Sequence, residues 1–507
     1  MSVFTTRTIA ELLRAGEPGA EAIGGPDRTM MTRGELLRLA ERTGGALRAL
    51  GIRQGDAIAM VMPNGPEMAA AFLAVACYAV AAPLNPAYRA DEFDFYLGDL
   101  DAKALIIEGA PDSPARAVAA QRNIPVIELT ADENAPAGSF TLSTPYGDAV
   151  QARPAPDDVA LVLHTSGTTS RPKLVPLSHR NLAVSARNIV KALALTPADR
   201  CLVIMPLFHI HGLAGKLLAS LDAGASVYCT PNFHTLKFYG WLDHSQATWY
   251  SAAPALHQMI LARADRNAEI VARHKLRLIR SSSAAMPPQV MKQLEEIFGC
   301  PVIESYGMTE AAHQMASNPL PPRPRMPGTV GIAAGPEVAI MGPGGHLLPA
   351  GETGEIVIRG ENVTAGYVAN PKANEEAFVN GWFRTGDQGV FDADGYIRIT
   401  GRLKEIINRG GEKIAPREVD DVLMDHPAVA QVVTFAMPHA MLGEEVAAAI
   451  VLRDGATATE QELRAFAGLH LADFKVPRKI VLLDEIPKGP TGKLQRIGLA
   501  QRLGLTA

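Results

Sequence analysis

The chain has 507 residues, of which 47% are hydrophobic and 20% are charged, and its formal net charge is -5. One hydrophobic core rarely serves a chain of this length, so we expect about two to four structural units of a globular protein. The small net charge gives no reason to expect a nucleic acid or an anionic membrane surface as a partner.

The cysteines and the apolar segments favour a cytoplasmic location. Cys77, Cys201, Cys229 and Cys300 are far apart and show no Cys-x-x-Cys or disulfide-framework spacing, which is typical of a reducing compartment. The N-terminal residues lack the apolar core of a signal peptide. The longest apolar run, residues 68–82, is shorter than the roughly 18–20 residues that cross a bilayer, and we predict that it is a buried helix.

Helical and strand-like patterns alternate through the first 310 residues. Residues 32–40 have the spacing of an amphipathic helix. Short apolar runs predict strands at 57–62, 104–107, 159–163, 201–205, 226–229, 276–280 and 302–304. This alternation is typical of layered α/β subdomains with a largely parallel sheet.

The pattern changes after Pro319, where prolines and then glycines become frequent. The strand-like run 354–359 and the hairpin signal Asp394-Gly395 predict a β-rich subdomain at about 320–402. Together with the preceding α/β region it forms a predicted N-terminal domain, residues 1–402. Residues 403–507 are predicted to form a small, mobile α+β domain, with a helix opening at Pro416 and a capping box at Thr459.

The most informative stretch is residues 164–175, His-Thr-Ser-Gly-Thr-Thr-Ser-Arg-Pro-Lys-Leu-Val. It follows the strand predicted at 159–163 and precedes a helix predicted at 178–193, so we place it in a strand-to-helix loop. Its backbone N–H groups, hydroxyls and Lys173 could surround phosphate oxygens. It is not a Walker A loop, because no Gly-Lys-Ser/Thr follows the spacer. The alternative is an ordinary polar turn.

Four further motifs lie downstream, and each is unspecific by itself. Residues 306–310 offer a tyrosine ring for a purine, a hydroxyl for a phosphate oxygen and a carboxylate for Mg²⁺. Asp387 ends an Arg-Thr-Gly-Asp turn, where a carboxylate could accept both hydroxyls of a ribose. A charged linker at 401–405 leads to a glycine pair within 408–413, and residues 487–493 place a lysine in a glycine-containing loop.

In this order and spacing the motifs resemble those of the adenylate-forming superfamily, which includes acyl-CoA synthetases, aryl-CoA ligases and peptide-synthetase adenylation domains. The resemblance covers essentially the whole chain. Within the superfamily the chain looks most like the oxalate–CoA ligase branch, on the stretches 164–173, 206–212, 309–315 and 407–414. The chain departs from the broad pattern at Ser170 and Leu174, where the first loop commonly has glycine.

The resemblance implies a two-step reaction that uses ATP, Mg²⁺ and coenzyme A. A carboxylate attacks the α-phosphate of ATP and forms an acyl-adenylate and pyrophosphate; a thiol then displaces AMP. By resemblance Lys493 bridges the attacking carboxylate and the phosphate, and Thr309 binds the α-phosphate. Glu310 and Thr168 are the implied ligands of Mg²⁺, and His209 is implied to lie between the acyl pocket and the thiol tunnel.

The remaining implied roles concern the nucleotide and the thiol. The nucleotide is implied to contact Thr165, Ser166, Gly167, Thr168, Thr169, Lys173, Ser283, Ala284, Ala285, Glu304, Ser305, Tyr306, Gly307, Asp387 and Arg402. Within this set, Tyr306 and the Ser283–Ala285 segment flank adenine, while Asp387 and Arg402 hold the ribose. Lys404 occupies the family's hinge position. Rotation there would exchange Lys493 for the tunnel loop Arg409, Gly410 and Gly411.

The acyl pocket decides the acid. Its implied lining consists of His209, Ser283, Met308 and His313, with Ser281 and Ser282 as further candidates. A dicarboxylate leaves one carboxylate unreacted, and burying that charge requires hydrogen-bond donors. Hydroxyls and a histidine provide such donors, so we expect oxalate. The alternative for the serines is that they only pack beneath the adenine.

Two other functional readings stay open at this point. The acid could be malonate, a medium-chain acid or an aryl acid. The chain could also be a stand-alone adenylation enzyme that loads a carrier protein, although no carrier domain with a Gly-Gly-x-Ser attachment site occurs in it. We expect a small carboxylic acid, ATP and CoA as partners, no nucleic acid or membrane, and a monomer or homodimer.

Overall fold

The computed structural model describes residues 6–145, 147–149, 151–165, 172–487 and 494–505. The chain divides into two compact units. The first is formed by Met1–Thr165, Lys173–Val338 and Ile358–Gly381, and the second by Ser166–Pro172, Ala339–Val357 and Trp382–Ala507. Within the described ranges, no helix has both the length and the apolar character needed to cross a bilayer.

The described part of the first unit contains two large sheets, as the alternating pattern predicts. One consists, in spatial order, of Phe140–Leu142, Val126–Ala131, Ala104–Glu108, Ala57–Val61, Val80–Leu84, Val159–Thr165 and Lys173–Ser178. The other consists of Ile332–Ala333, His313–Ser317, Val302–Met308, Leu278–Ser281, Trp249–Ala252, Arg200–Val203, Ser226–Cys229, Glu21–Gly24 and Met31–Thr32. Both sheets are parallel in the centre and antiparallel at the edges. The α/β fold class is therefore confirmed.

Helices connect these strands, and several begin at side chains that satisfy their first N–H groups. Thr32 and Glu35 form a capping box, and so do Ser178 and Asn181. The helices of the first unit are Ile9–Arg14, Arg33–Ala49, Pro66–Ala76, Ala90–Asp99, Pro114–Gln121, His179–Leu193, Ile210–Gly212, Ala219–Asp222, Phe238–Ser245, Pro254–Leu261, Ala268–Arg273, Pro288–Phe298 and Pro371–Ala377. Leu213–Leu218 is a π-helix, and Asp265–Asn267 and Thr309–Ala311 are 3₁₀ turns.

The apolar run at 68–82 is not one helix, so that prediction is wrong. The helix Pro66–Ala76 ends after eleven residues, and the strand Val80–Leu84 begins within the same run. Every residue of both elements is buried. An element that is apolar on all sides has no period, so the pattern could not show where helix gives way to strand.

The phosphate-loop candidate does not lead directly into a helix, which corrects a second prediction. Lys173–Ser178 is a strand, antiparallel to Val159–Thr165, with Thr165 opposite Lys173. The helix His179–Leu193 begins only after this second strand. Residues 164–175 therefore include the paired ends of two strands, and the helix follows the second strand instead of the candidate loop.

The second unit holds the β-hairpin and the C-terminal sheet that the sequence indicates. The strands Trp382–Phe391 and Ile397–Arg402 are antiparallel on either side of Asp394-Gly395. The C-terminal sheet has the order Glu412–Ile414, Ile407–Arg409, Gly443–Leu452 and Val429–His439, with Lys479–Leu482 also paired to Gly443–Leu452. Its helices are Pro416–Met424, Glu460–Gly468 and Leu499–Arg502. Leu403–Glu405 is a 3₁₀ turn of this unit. The strands Glu337–Met341 and Gly354–Arg359 each cross the division between the two units, and the strand Phe378–Val379 belongs to the first unit.

Candidate active site

A hairpin built from Val302–Met308, the turn Thr309–Ala311 and His313–Ser317 carries most of the predicted site residues of the first unit. Met308 lies opposite His313, and Gly307 lies opposite Gln314. A Cβ at Gly307 would be 1.7 Å from the His313 carbonyl oxygen, so only glycine permits this approach of the two backbones. His313 itself has a φ of 105°, which is a costly conformation for a side-chain-bearing residue.

Glu310 is buried in the turn of this hairpin, and Tyr367 links it to the end of the phosphate-loop candidate. The Tyr367 hydroxyl donates to Glu310 Oε1 at 3.0 Å, while Lys173 Nζ lies 4.5 Å from the centre of the Tyr367 ring. Burial raises the pKa of Tyr367, so the hydroxyl keeps its proton and remains a donor. The carboxylate, ring and amine thus form one connected group. No motif in the sequence points to Tyr367.

Glu304, Ser305 and Tyr306 are all buried in the strand Val302–Met308. Ser305 Oγ donates to the Ser281 carbonyl, and Ser282 Oγ donates to the Ser305 carbonyl, each at 3.2 Å. These bonds fasten the neighbouring strand Leu278–Ser281 to the hairpin. Ser281 and Ser282 are therefore buried between strands.

Ser283, Ala284 and Ala285 follow that strand in an exposed segment. Ser283 has a φ of 76°, and its Oγ lies 3.0 Å from His211 Nδ1. The other ring nitrogen, His211 Nε2, lies 2.8 Å from Ser251 Oγ. Both nitrogens of His211 are thus held by serine hydroxyls.

The His211 and His313 rings meet edge to face, with centroids 4.9 Å apart. Burial, followed by nearby positive groups, holds the pKa of each imidazole well below its usual range, so both rings are neutral at neutral pH. His313 Nε2 has no hydrogen-bond partner within the described ranges. His209, which was predicted to line the pocket, is half-buried and packs on Phe208 at 4.5 Å.

Two basic side chains behind the histidines were also missed. Arg280 and Lys216 are both completely buried. Arg280 Nη2 donates to Gln314 Oε1 at 2.8 Å, and Lys216 Nζ donates to the His211 carbonyl at 3.3 Å. Arg280 lies within a predicted strand, and Lys216 lies four residues after Gly212. Neither position differs in local pattern from an ordinary core residue.

In the second unit, the predicted ribose pair is in contact. Asp387 and Arg402 are directly opposite each other in the hairpin, and Arg402 Nε lies 2.9 Å from Asp387 Oδ1. Thr385 Oγ1 accepts a hydrogen bond from the Asp387 backbone N–H at 3.1 Å and so fixes the turn. Asp387 is buried, while the Arg402 side chain is half exposed.

The predicted hinge and tunnel residues lie further along the same unit. Lys404 is exposed in the turn Leu403–Glu405. Gly410 and Gly411 form the two-residue turn between the strands Ile407–Arg409 and Glu412–Ile414, and both have positive φ, as a primed hairpin turn requires. The Arg409 guanidinium is anchored by the buried Glu445 carboxylate at 2.6 Å.

Several predicted residues lie outside the described part of the chain: Ser166, Gly167, Thr168, Thr169 and Lys493. Thr165, at the edge of the first loop, is half-buried, and its hydroxyl donates to the Lys173 carbonyl at 3.4 Å. Thr309 is half-buried at the start of the turn that holds Glu310. The roles of these residues therefore stay predictions.

The sequence matches known protein families along most of its length. A family model described as AMP-binding enzyme matches residues 13–368, and a model of the AMP-binding enzyme C-terminal domain matches residues 418–493. The match to the oxalate–CoA ligase of Arabidopsis thaliana is 45% identical over 495 residues and covers 96% of each chain. The match to the oxalate–CoA ligase of Saccharomyces cerevisiae is 42% identical over 473 residues and covers 88% of this chain and 86% of that one.

Solved structures show the same architecture. The ATP-bound crystal structure of MatB from Rhodopseudomonas palustris superposes with a TM-score of 0.90 at 30% identity, and the match covers 99% of each chain. A likeness over the whole length includes both the large α/β region and the small C-terminal region.

Proposed function

This chain belongs to the AMP-binding enzyme family and is an AMP-forming acid–CoA ligase that uses ATP, Mg²⁺ and CoA, and we propose that the acid it activates is oxalate. The products would be oxalyl-CoA, AMP and pyrophosphate. The resemblance to two oxalate–CoA ligases over most of the chain supports the proposal. The geometry adds an independent reason.

The observation that carries the proposal is the polar group formed by Ser283, His211 and His313. The first two are hydrogen-bonded at 3.0 Å, and the third faces His211 with a ring nitrogen that has no partner within the described ranges. An acyl or aryl chain would need apolar walls here. The second carboxylate of oxalate instead needs N–H and O–H donors, because burying it without them would be very unfavourable.

The neutral state of the two imidazoles fits this role. The neutral His313 ring has one N–H to donate, and its tautomer can place that proton on Nε2, which has no partner among the described residues. His211, whose two nitrogens are held by Ser283 and Ser251, orients the Ser283 hydroxyl. Ser283 Oγ can likewise rotate its proton toward a carboxylate. We assign Ser283 and His313 to the distal carboxylate of the acid, with Met308 beside His313 in the hairpin. His209 stays the predicted boundary between acid and thiol.

For the nucleotide half of the reaction, we assign Glu310 to Mg²⁺ and Lys173 to the phosphates. One carboxylate fits a magnesium ion, which commonly takes one or two protein carboxylates and completes its shell with phosphate oxygens and water. When bound, the ion neutralises charge that develops on the phosphates. Tyr367 orients Glu310 through its 3.0 Å hydrogen bond. Thr309 and Tyr306 keep their predicted contacts to the α-phosphate and adenine.

The second unit supplies the remaining proposed roles. Asp387, already paired with Arg402, is assigned to the ribose hydroxyls. Lys493 is assigned to the acid and the α-phosphate during adenylation. We propose that the boundary between the N-terminal and the mobile C-terminal domain lies between residues 402 and 403. Lys404 is the proposed hinge, and the turn around Gly410 is proposed to line the thiol tunnel.

A pyrophosphate-release panel tests the substrate. Purified protein is given ATP, Mg²⁺ and CoA with oxalate, malonate, octanoate or coumarate. The rate of pyrophosphate release gives kcat/KM for each acid, and mass spectrometry identifies the thioester that forms. We expect the highest kcat/KM with oxalate. A higher value with any other acid would overturn the oxalate assignment and leave the ligase class standing. Transfer to a carrier protein's phosphopantetheine in preference to free CoA would favour the adenylation-enzyme alternative.

A further inference from the structure

The interior of the first unit contains an uncompensated positive charge directly behind the two histidines. Arg280 is fully buried, and its contacts among the described residues are to neutral groups. Its Nη2 donates to Gln314 Oε1 at 2.8 Å and its Nη1 to the Gly215 carbonyl at 3.5 Å, while Nε has no hydrogen-bond partner there. Burial lowers the pKa of Arg280 to about 10, so the guanidinium is still charged at neutral pH.

Lys216 lies in the same interior, on the π-helix Leu213–Leu218. Its amine is fully buried, and the hydrogen bond it makes is to the His211 carbonyl. Burial holds the pKa of the Lys216 amine well below its usual range, so the buried charge rests on Arg280. Among the described residues, the titratable group that favours the charged form of either base is the Cys201 thiol. Burial raises the pKa of Cys201 to about 12, so this thiol is neutral and compensates neither base.

Gly215 lies between Arg280 and the two imidazole rings. A Cβ built on Gly215 would lie 2.3 Å from His313 Cδ2 and 3.2 Å from His211 Cδ2, so the Gly215 backbone lies against both rings. The carbonyl of the same glycine faces Arg280. Gln314, which holds the guanidinium, is itself fixed by donating to the Ala334 carbonyl at 2.8 Å. The charge therefore has a defined place behind the wall of the acid site.

An unpaired buried cation destabilises a folded protein, and an ion pair or an apolar residue of similar volume would serve the core better. Residues that lower stability in this way are expected where function requires them. A ligand with surplus negative charge at the two histidines would supply the missing compensation. A monocarboxylate loses its charge on becoming an acyl-adenylate, whereas a dicarboxylate keeps one negative charge beside the wall.

We propose that Arg280 is a positioning residue that reserves the acid site for doubly charged acids. It acts through Gln314, Gly215 and the two histidines, without touching the acid. The inference rests on the proposed function, since it takes the histidine wall as the place of the distal carboxylate. It goes further because it assigns the selectivity for diacids over monoacids to a residue that does not contact the acid.

The test compares diacids with monoacids that lack the second carboxylate charge. Wild type, Arg280→Met and Arg280→Lys are assayed with oxalate against glyoxylate and with malonate against acetate. Methionine fills the space without charge. We expect Arg280→Met to reduce the ratio of kcat/KM for diacid over monoacid by roughly 10- to 100-fold, the size expected for one charge several ångströms away in a partly buried site. The KM for ATP should stay within about threefold, and lysine should restore most of the ratio.

Two further variants keep the test decisive. Arg277→Met removes an arginine from the same segment whose charge is already matched by Asp199 at 2.9 Å, so it should leave the ratio unchanged even if it lowers the melting temperature. Gln314→Met removes the oxygen that holds Arg280 Nη2, so it should lower the ratio in the same direction as Arg280→Met, and it decides the matter if Arg280→Met does not fold. An unchanged ratio in the folded variants would overturn the inference.

The outcome also separates this inference from the substrate assignment. If the wild type prefers malonate to oxalate, the oxalate proposal fails, and the charge preference is judged on malonate against acetate. If the wild type prefers the monoacid in both pairs, both proposals fail. If oxalate is preferred and Arg280→Met lowers oxalate, glyoxylate and ATP equally, Arg280 is a structural residue and only the inference fails.

Discussion

Removing the Tyr367 hydroxyl should slow adenylate formation selectively. Tyr367→Phe keeps the ring beneath Lys173 and deletes the donor to Glu310 Oε1. Both partners are buried, and a hydrogen bond to a charged group is worth roughly 1.5–3 kcal/mol. We therefore expect kcat/KM for Mg·ATP to fall by roughly 10- to 150-fold, measured as oxalate-dependent exchange of pyrophosphate into ATP.

A second substitution at the same residue separates its two contacts. Tyr367→Leu removes the hydroxyl and the aromatic face that lies 4.5 Å from Lys173 Nζ. A cation–π contact is worth about 0.5–2 kcal/mol, so this variant should be roughly 2- to 30-fold slower than Tyr367→Phe. Thiolation of a supplied acyl-adenylate should change much less in either variant, because pyrophosphate has already left.

The matched control is Tyr239→Phe. Its hydroxyl is also buried and donates at 2.8 Å, but to the Ile260 carbonyl, and it belongs to none of the proposed site residues. It should lower the melting temperature and leave the Mg·ATP dependence unchanged. If Tyr239→Phe and Tyr367→Phe lose adenylation equally, or if Tyr367→Phe loses none, the reasoning about Glu310 is refuted.

Three other predictions follow from single residues. Lys493→Ala should reduce adenylate formation by about 100-fold or more and spare thiolation of a supplied acyl-adenylate; equal loss in both half-reactions, measured separately, would contradict domain alternation. Gly307→Ala should destabilise the first unit by several kcal/mol in urea titrations, because its Cβ would overlap the His313 carbonyl. An unchanged unfolding midpoint would show that the hairpin backbone can shift to accept the methyl group. His179 is buried with its Nδ1 accepting from the Ile9 N–H, and burial lowers its pKa to about 4, so its stabilisation is complete above pH 6.5 and is lost as the pH falls from 6.5 toward 4. The loss is roughly 3 kcal/mol, and His179→Gln should flatten that part of the stability–pH curve; an identical slope in the variant would exclude His179 as its cause.

The sequence by itself determined the local elements that have their own chemical signals. The helix Pro416–Met424 opens at the predicted proline, Thr459 caps Glu460–Gly468 through Glu462, and Asp394-Gly395 turns the predicted hairpin. Motif order also determined the family, since residues with specific chemistry recur in a fixed sequence. All of these signals act over a few residues, where propensity, capping and turn geometry decide the outcome.

Tertiary structure decided what depends on distant partners. The sequence pattern places residues 173–175 in a loop, because only pairing with Val159–Thr165 makes Lys173–Ser178 a strand. Tyr367 meets Glu310 across 57 residues, and no local pattern announces that contact. The position of Arg280 reads as an ordinary place in a buried strand. Whether a buried charge is compensated depends on every side chain folded around it, so only the packed structure shows that Arg280 lacks an anionic partner among the described residues.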